Sequence, residues 1–152
     1  MNILVTGACG QLGRTLKDVS TGYEHKCFFT DVREGEGIAR LDVTSGKAVE
    51  EFLEAADVDV IVNCAAYTDV DGAESDEGMA RLVNVTAPKV LAEAAVKKGA
   101  VLIHISTDYV FGAEPYNTPC TEDMTGTPTG VYGLTKLHGE QQIIATSCNH
   151  VI

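Results

Sequence analysis

The sequence is short of basic charge, of long hydrophobic runs and of any ordered cysteine framework. Lys and Arg number 11 against 22 Asp and Glu, a net charge of −11. That balance argues against nucleic acid or an anionic membrane as a general partner, because the mean field repels both. A phosphate-bearing small molecule stays allowed, since local backbone N–H groups bind phosphate against the field. The five cysteines (Cys9, Cys27, Cys64, Cys120, Cys148) are scattered, odd in number and without a C-x-x-C pair. Neither a disulfide framework nor a zinc site is expected, and the compartment reads as reducing. His25, His138 and His150 lack metal-ligand spacing, so no metal is expected. No apolar run reaches transmembrane length and no basic leader precedes the first one, which points to a cytoplasmic protein. The Asn84-Val-Thr86 triplet is then a chance glycosylation match.

What the sequence does hold is a regular alternation. Apolar residues make up 45% of 152, enough for one domain with a real core. Short β-branched runs at 3–6, 26–31, 39–43, 58–64 and 100–106 read as strands. Helical patterns fill 11–18, 46–56, 74–98 and 131–146, with Thr44 or Ser45 capping the second and a kink or restart at Pro88 in the third. The runs 58–64 and 100–106 are almost uniformly apolar, as strands covered on both faces would be. The pattern predicts an α/β fold, a Rossmann-like doubly wound parallel sheet in three αβα layers. The closing NHVI looks like the start of another strand, so a fragment is expected, truncated before the last strands: one dinucleotide-binding domain over 1–152, without a C-terminal substrate domain. Such a fragment would leave a sheet edge and helix faces uncovered and is expected to self-associate.

Three constellations carry chemistry. TGACGQLG places Gly7, Gly10 and Gly13 after a strand and at the opening of a helix. Gly7 serves the tight turn, Gly10 leaves room for a pyrophosphate against N–H groups, and Gly13 lets the helix pack close. The spacing G-x-x-G-x-x-G departs from G-x-G-x-x-G by one residue, and a ligand-free tight turn also fits it. Asp31 closes the second strand, where an acid accepts from an adenosine ribose, and Arg33 two residues on could meet a 2′-phosphate. Tyr132 and Lys136 lie four residues apart, one helical turn, so a cation stands beside a phenol and favours its ionised form. That is one route to a proton donor near neutral pH, although an ordinary exposed pair has the same spacing.

Tyr132, Lys136, the glycine pattern and STDYVFG (106–112) together resemble the extended short-chain dehydrogenase/reductase family. GQLG, NCAAYTDVDGAES, HISTDYVFG and VYGLTKLHGE are similar to its reductases of dTDP-linked 4-keto-sugars, and the likeness runs from Met1 to Ile152. The resemblance implies hydride transfer from NADPH or NADH to a sugar-nucleotide substrate. It implies Tyr132 as proton donor to the substrate oxygen, Lys136 on the nicotinamide ribose, and Thr107 holding the same oxygen with Asp108 beside it. Strand alternation would send the neighbouring Ser106 to the opposite side. Gly10, Gln11 and Leu12 match the pyrophosphate turn; Asp31, Asp42, Val43, Ala65, Ala66, Tyr67 and Thr68 match further cofactor contacts, with Asp42 near an adenine edge. A homodimer of the full-length protein is implied as well. Another sugar-nucleotide epimerase or reductase, and a cofactor-binding regulatory subunit, are the alternatives; the second is disfavoured by the presence of both Tyr132 and Lys136.

Outside these motifs, His104 reads as a satisfied core histidine. Asp69, Asp71, Glu74 and Asp76 read as a solvated loop and helix start favoured by the helix dipole. The glycine- and proline-rich stretch from Thr107 to Gly130 is long enough to be functional, and its part from Glu114 is expected to help shape the substrate mouth.

Overall fold

A computed structural model describes residues 1–112 and 119–152. Six parallel strands run in the order β3-β2-β1-β4-β5-β6: β1 (Asn2–Thr6), β2 (Lys26–Asp31), β3 (Ala39–Arg40), β4 (Val60–Asn63), β5 (Val101–His104) and β6 (His150–Val151). The order steps outward on both sides of β1, so the switch point lies between β1 and β4, and ligands of such sheets bind at the carboxyl edge there. Helices α1 (Gln11–Ser20), α2 (Gly46–Ala56), α3 (Val70–Ser75), α4 (Glu77–Arg81), α5 (Ala87–Lys98) and α6 (Val131–Ala145) provide the crossovers.

Right-handed crossovers put α1 on one face of the sheet and α2, α5 and α6 on the other. The core forms against the second face. Leu4, Ile61 and Leu102 stand in register across β1, β4 and β5 and pack with Val49, Leu53, Leu91 and Ile143 from the helices, all essentially inaccessible to water. Burying each such side chain contributes about 1.5–3 kcal/mol. The alternate residues Val60, Val62, Val101 and Ile103 are only half-buried. The reading of β4 and β5 as covered on both faces is therefore corrected: the uniform apolarity is there, the second cover is not, among the described residues.

Element boundaries differ where local chemistry intervenes. The third strand shrinks to two residues, because Asp42 turns the chain by accepting from Thr44 N and Oγ1. Ser45 caps α2, accepting from Ala48 N. The helical region expected over 74–98, with a kink or restart at Pro88, begins at Val70, breaks at Asp76 (φ −132°) and makes a π-helical turn at Leu82–Thr86; α5 then starts with Pro88 in its first turn, where the restart was expected. Asp69 and Asp76 cap α3 and α4, and Glu74 accepts from Val131 N at the start of α6, so three of the four acids have structural partners. Asn84 of the chance triplet is buried, with its amide fully engaged. Of the segment expected to shape a substrate mouth, residues 114–118 lie outside the described residues.

Candidate active site

The strand ends open into a cleft of about 1030 Å³. Every position that the sequence assigned to the cofactor, from Gly7 through Asp31 and Tyr67 to Lys136, lines it. At one end lies the β1–α1 turn. Gly7 has φ +66°, and a Cβ there would fall 2.5 Å from Ala65 N and 2.6 Å from Cys64 C, so only glycine joins the turn to the β4 exit. A Cβ at Gly13 would stand 2.5 Å from Gly7 O, which fixes α1 close beneath the turn. No side chain caps α1: its N-cap is Gly10, and the first N–H groups of the helix are left to the cleft. Orphan donors at a helix N-terminus, with glycine at the point of approach, fit an anionic group such as a pyrophosphate.

Asp31 is buried at the end of β2. Its Oδ2 accepts from Cys9 N at 3.0 Å and its Oδ1 from Arg33 N at 3.1 Å, so the carboxylate ties the glycine turn to β2. The Arg33 side chain, 75% exposed, reaches Asp31 only at 3.7 Å. Across the cleft the 64–68 segment is held by Asn84, whose Oδ1 accepts from Tyr67 N while Nδ2 donates to Tyr67 O and to Thr135 Oγ1 on α6. One buried amide thus joins a cleft wall to the helix carrying Tyr132 and Lys136. Cys64 lies in that wall, and burial pushes its thiol up to about 11, leaving it protonated and unreactive.

At the other end, Tyr132 is half-buried and packs edge-to-face on Tyr109, centroids 5.4 Å apart. Lys136 is 2% exposed, and its Nζ donates to Ile105 O at 2.6 Å and lies 3.4 Å from His104 Nε2. Burial pulls the Lys136 amine down to about 8, opposed by the Glu140 carboxylate one turn along α6. His104 is buried and held down to about 3, by burial first and then by Lys136.

Two expected residues stand elsewhere. Thr107 and Asp108 are not part of the cleft lining, whereas Ser106 is. The alternation argument fails because β5 ends at His104. Beyond it Ser106 Oγ donates to Glu140, while Thr107 caps the 3₁₀ turn Asp108–Phe111, accepting from Tyr109 N at 3.3 Å and donating to Asp108 at 3.3 Å. The sequence reading also missed the apolar rim: Val32, Met79, Leu82 and Ile105 are 40–60% exposed and line the cleft. Exposed apolar side chains at helical positions 79 and 82 were the available signal, but the π turn that aims the second one had none.

The family described as RmlD substrate binding domain matches residues 1–152. A curated dTDP-4-dehydrorhamnose reductase of Mycobacterium tuberculosis is 43% identical over 94% of this chain and 45% of its own length. A crystal structure of a dTDP-4-dehydrorhamnose reductase from Clostridium acetobutylicum superposes with a TM-score of 0.89 at 40% identity, covering 99% of this chain and 51% of that one. The Bacillus anthracis enzyme of the same name, solved in complex with NADP, gives 0.84 at 31% identity over 98% and 51%. The chain spans about half the length of the curated relatives it matches.

Proposed function

The chain belongs to the RmlD substrate binding domain family, and on that premise we propose that it is the dinucleotide-binding part of a reductase that converts dTDP-4-dehydro-L-rhamnose to dTDP-L-rhamnose. The observation that carries the reading is a cleft with uncapped helix donors at one end and Tyr132 with Lys136 at the other. The relative solved with NADP adds the cofactor class. Residues 1–152 are proposed to hold NADPH or NADH, and the sugar nucleotide is proposed to be gripped chiefly by the rest of a longer protein.

When bound, the reduced nicotinamide supplies a hydride to the C4 carbonyl carbon of the sugar. The α1 N–H groups of Gln11 and Leu12 take the pyrophosphate oxygens, and the dipole of the helix adds to their attraction. Asp31 holds the turn that presents them, and Arg33, exposed and only loosely paired with Asp31, is placed to meet a 2′-phosphate. Tyr132 gives its phenolic proton to the C4 oxygen as charge develops there, and solvent returns a proton to the phenolate. Thr107, next to the lining residue Ser106, is assigned to orient the same oxygen. Lys136 holds the ribose and, in its protonated form, steadies the phenolate. The hydrophobic rim around Met79 and Leu82 keeps water from the reacting end.

Titrating NADPH into the chain is expected to give saturable binding in roughly the micromolar to sub-millimolar range. Gly10→Glu, which places a carboxylate at the helix N-terminus, is expected to abolish it. Binding unaffected by that change would overturn the reading.

A further inference from the structure

The sheet face that carries the core row Leu4–Ile61–Leu102 changes character two residues later. In the same register stand Thr6, Asn63 and His104, each at most 2% exposed, followed by Lys136 on α6. Thr6 Oγ1 donates to Asn63 Oδ1 at 2.7 Å, and Asn63 Nδ2 meets His104 Nδ1 at 2.9 Å. His104 Nε2 then lies 3.4 Å from Lys136 Nζ. Thr6, Asn63 and His104 are thus sealed from water beneath the cleft, and the row ends at Lys136 in its lining. Apart from Lys136, none has a part in the chemistry proposed above.

The protons along this row can be assigned. Ala65 N–H, which can only donate, points at Asn63 Oδ1 at 3.2 Å. The oxygen of the Asn63 amide is therefore on that side, and its NH₂ faces His104. Nδ1 must accept, so a neutral imidazole carries its proton on Nε2, toward the lysine. An ammonium has no lone pair to receive that proton, whereas an uncharged amine both accepts from Nε2–H and donates to Ile105 O.

We propose that His104 is a positioning residue for Lys136: the row Thr6–Asn63–His104 fixes the imidazole so that it offers an N–H to the amine, favouring its uncharged form. Burial of the amine works in the same direction. Of the other titratable groups, Glu140 and Tyr132 stand on its own helix, and Asp31, Arg33, Asp42, Cys64 and Tyr67 line the same cleft; Glu140 opposes the row by favouring the ammonium. Lys136 is thereby able to take up or release a proton near working pH instead of standing as a fixed charge. What that does for the reaction depends on Lys136 serving the cofactor site as proposed above; the tautomer does not.

Nuclear magnetic resonance of the chain tests this without turnover. Long-range ¹H–¹⁵N spectra are expected to show His104 neutral at pH 7 with its proton on Nε2. In ¹³C-lysine-labelled chain, Asn63→Asp is expected to force the proton to Nδ1, turn the Nε2 lone pair to Lys136, and raise its titration midpoint by roughly one pH unit. Should that variant fold poorly, His104→Gln, whose amide oxygen can face the ammonium, is expected to raise the midpoint likewise. A wild-type Nδ1–H tautomer, or a Lys136 midpoint unmoved in the folded variants, overturns the proposal. NADPH titrations on the same samples separate the two readings. The expected tautomer and midpoints without NADPH binding leave the row standing and end the reductase reading; binding with an Nδ1–H tautomer does the reverse.

Discussion

Tyr132 and Lys136 share one helix face, but their surroundings differ: the phenol sits at the cleft wall against Tyr109, and the amine is sunk between Ile105 and His104. A proton donor acting at the wall has a direct test. In the full-length protein, if the proposed reduction holds, Tyr132→Phe is expected to lower turnover by roughly 10²–10⁴-fold while leaving NADPH affinity within about twofold, measured by nicotinamide absorbance and by titration. Turnover near wild type would remove Tyr132 from the mechanism. Gly7 makes the second residue-scale prediction. Gly7→Ala must bear φ +66° and two backbone approaches below 2.7 Å, and is expected to destabilise the chain by about 2 kcal/mol or more, read from urea denaturation. These two positions were legible in the sequence because each has a local signature, a four-residue spacing and a strand–glycine–helix junction. Thr107 shows where such signatures stop. Its neighbour Ser106 took the cleft position because the strand ended at His104, and no residue near 105 marks that end.

At the scale of elements, the cleft depends on how α6 docks. A Cβ at Gly133 would fall 2.4 Å from Tyr109 O, and one at Gly139 only 2.1 Å from Asn84 O, so α6 lies backbone-close to both the 3₁₀ turn and the π turn. The π turn in its turn aims Asn84 at Tyr67 and Thr135. Asn84→Ala leaves the Tyr67 backbone N–H and C=O without these partners in a partly buried setting. It is expected to cost about 2–3 kcal/mol and to weaken NADPH binding through the 64–68 wall, checked by denaturation and titration together. An unchanged stability would show that Asn84 only fills space. The helices themselves were legible from apolar periodicity and caps such as Ser45. The π turn was not, because the phase shift of about 100° that one inserted residue causes is hidden between the short α4 and the restart at Pro88.

Over the whole molecule, acid sensitivity follows from the buried row. His104 binds a proton at about 3 when folded against 6.5 unperturbed, so between those values the unfolded chain holds the extra proton. Stability therefore falls as pH drops from 6.5 toward 3, with a His104 share approaching ~1.4 kcal/mol per pH unit. Lys136, lowered to about 8 from 10.5, has the same sign: its charge opposes folding below pH 8, and the penalty fades as pH rises to 10.5. Comparing denaturation midpoints of wild type and His104→Gln from pH 4 to 7 is expected to show the steeper acid loss in the wild type; parallel curves would contradict it. The αβα layering and the parallel sheet were legible from alternating apolar runs; the strand order was not, since handedness settles only which face each crossover helix covers. The half-covered face of β4 and β5 was not, since apolar composition records what a strand can bury and not what lies over it.

One cleft holding a dinucleotide end to end underlies each proposed role. The most direct measurement is a crystal structure of the chain with NADP bound. It is predicted to show the pyrophosphate hydrogen-bonded to the first N–H groups of α1 and the nicotinamide ring about 3.5 Å from the Tyr132 phenol. A nicotinamide lying away from Tyr132, or a pyrophosphate that makes no contact with the α1 N-terminus, would contradict it.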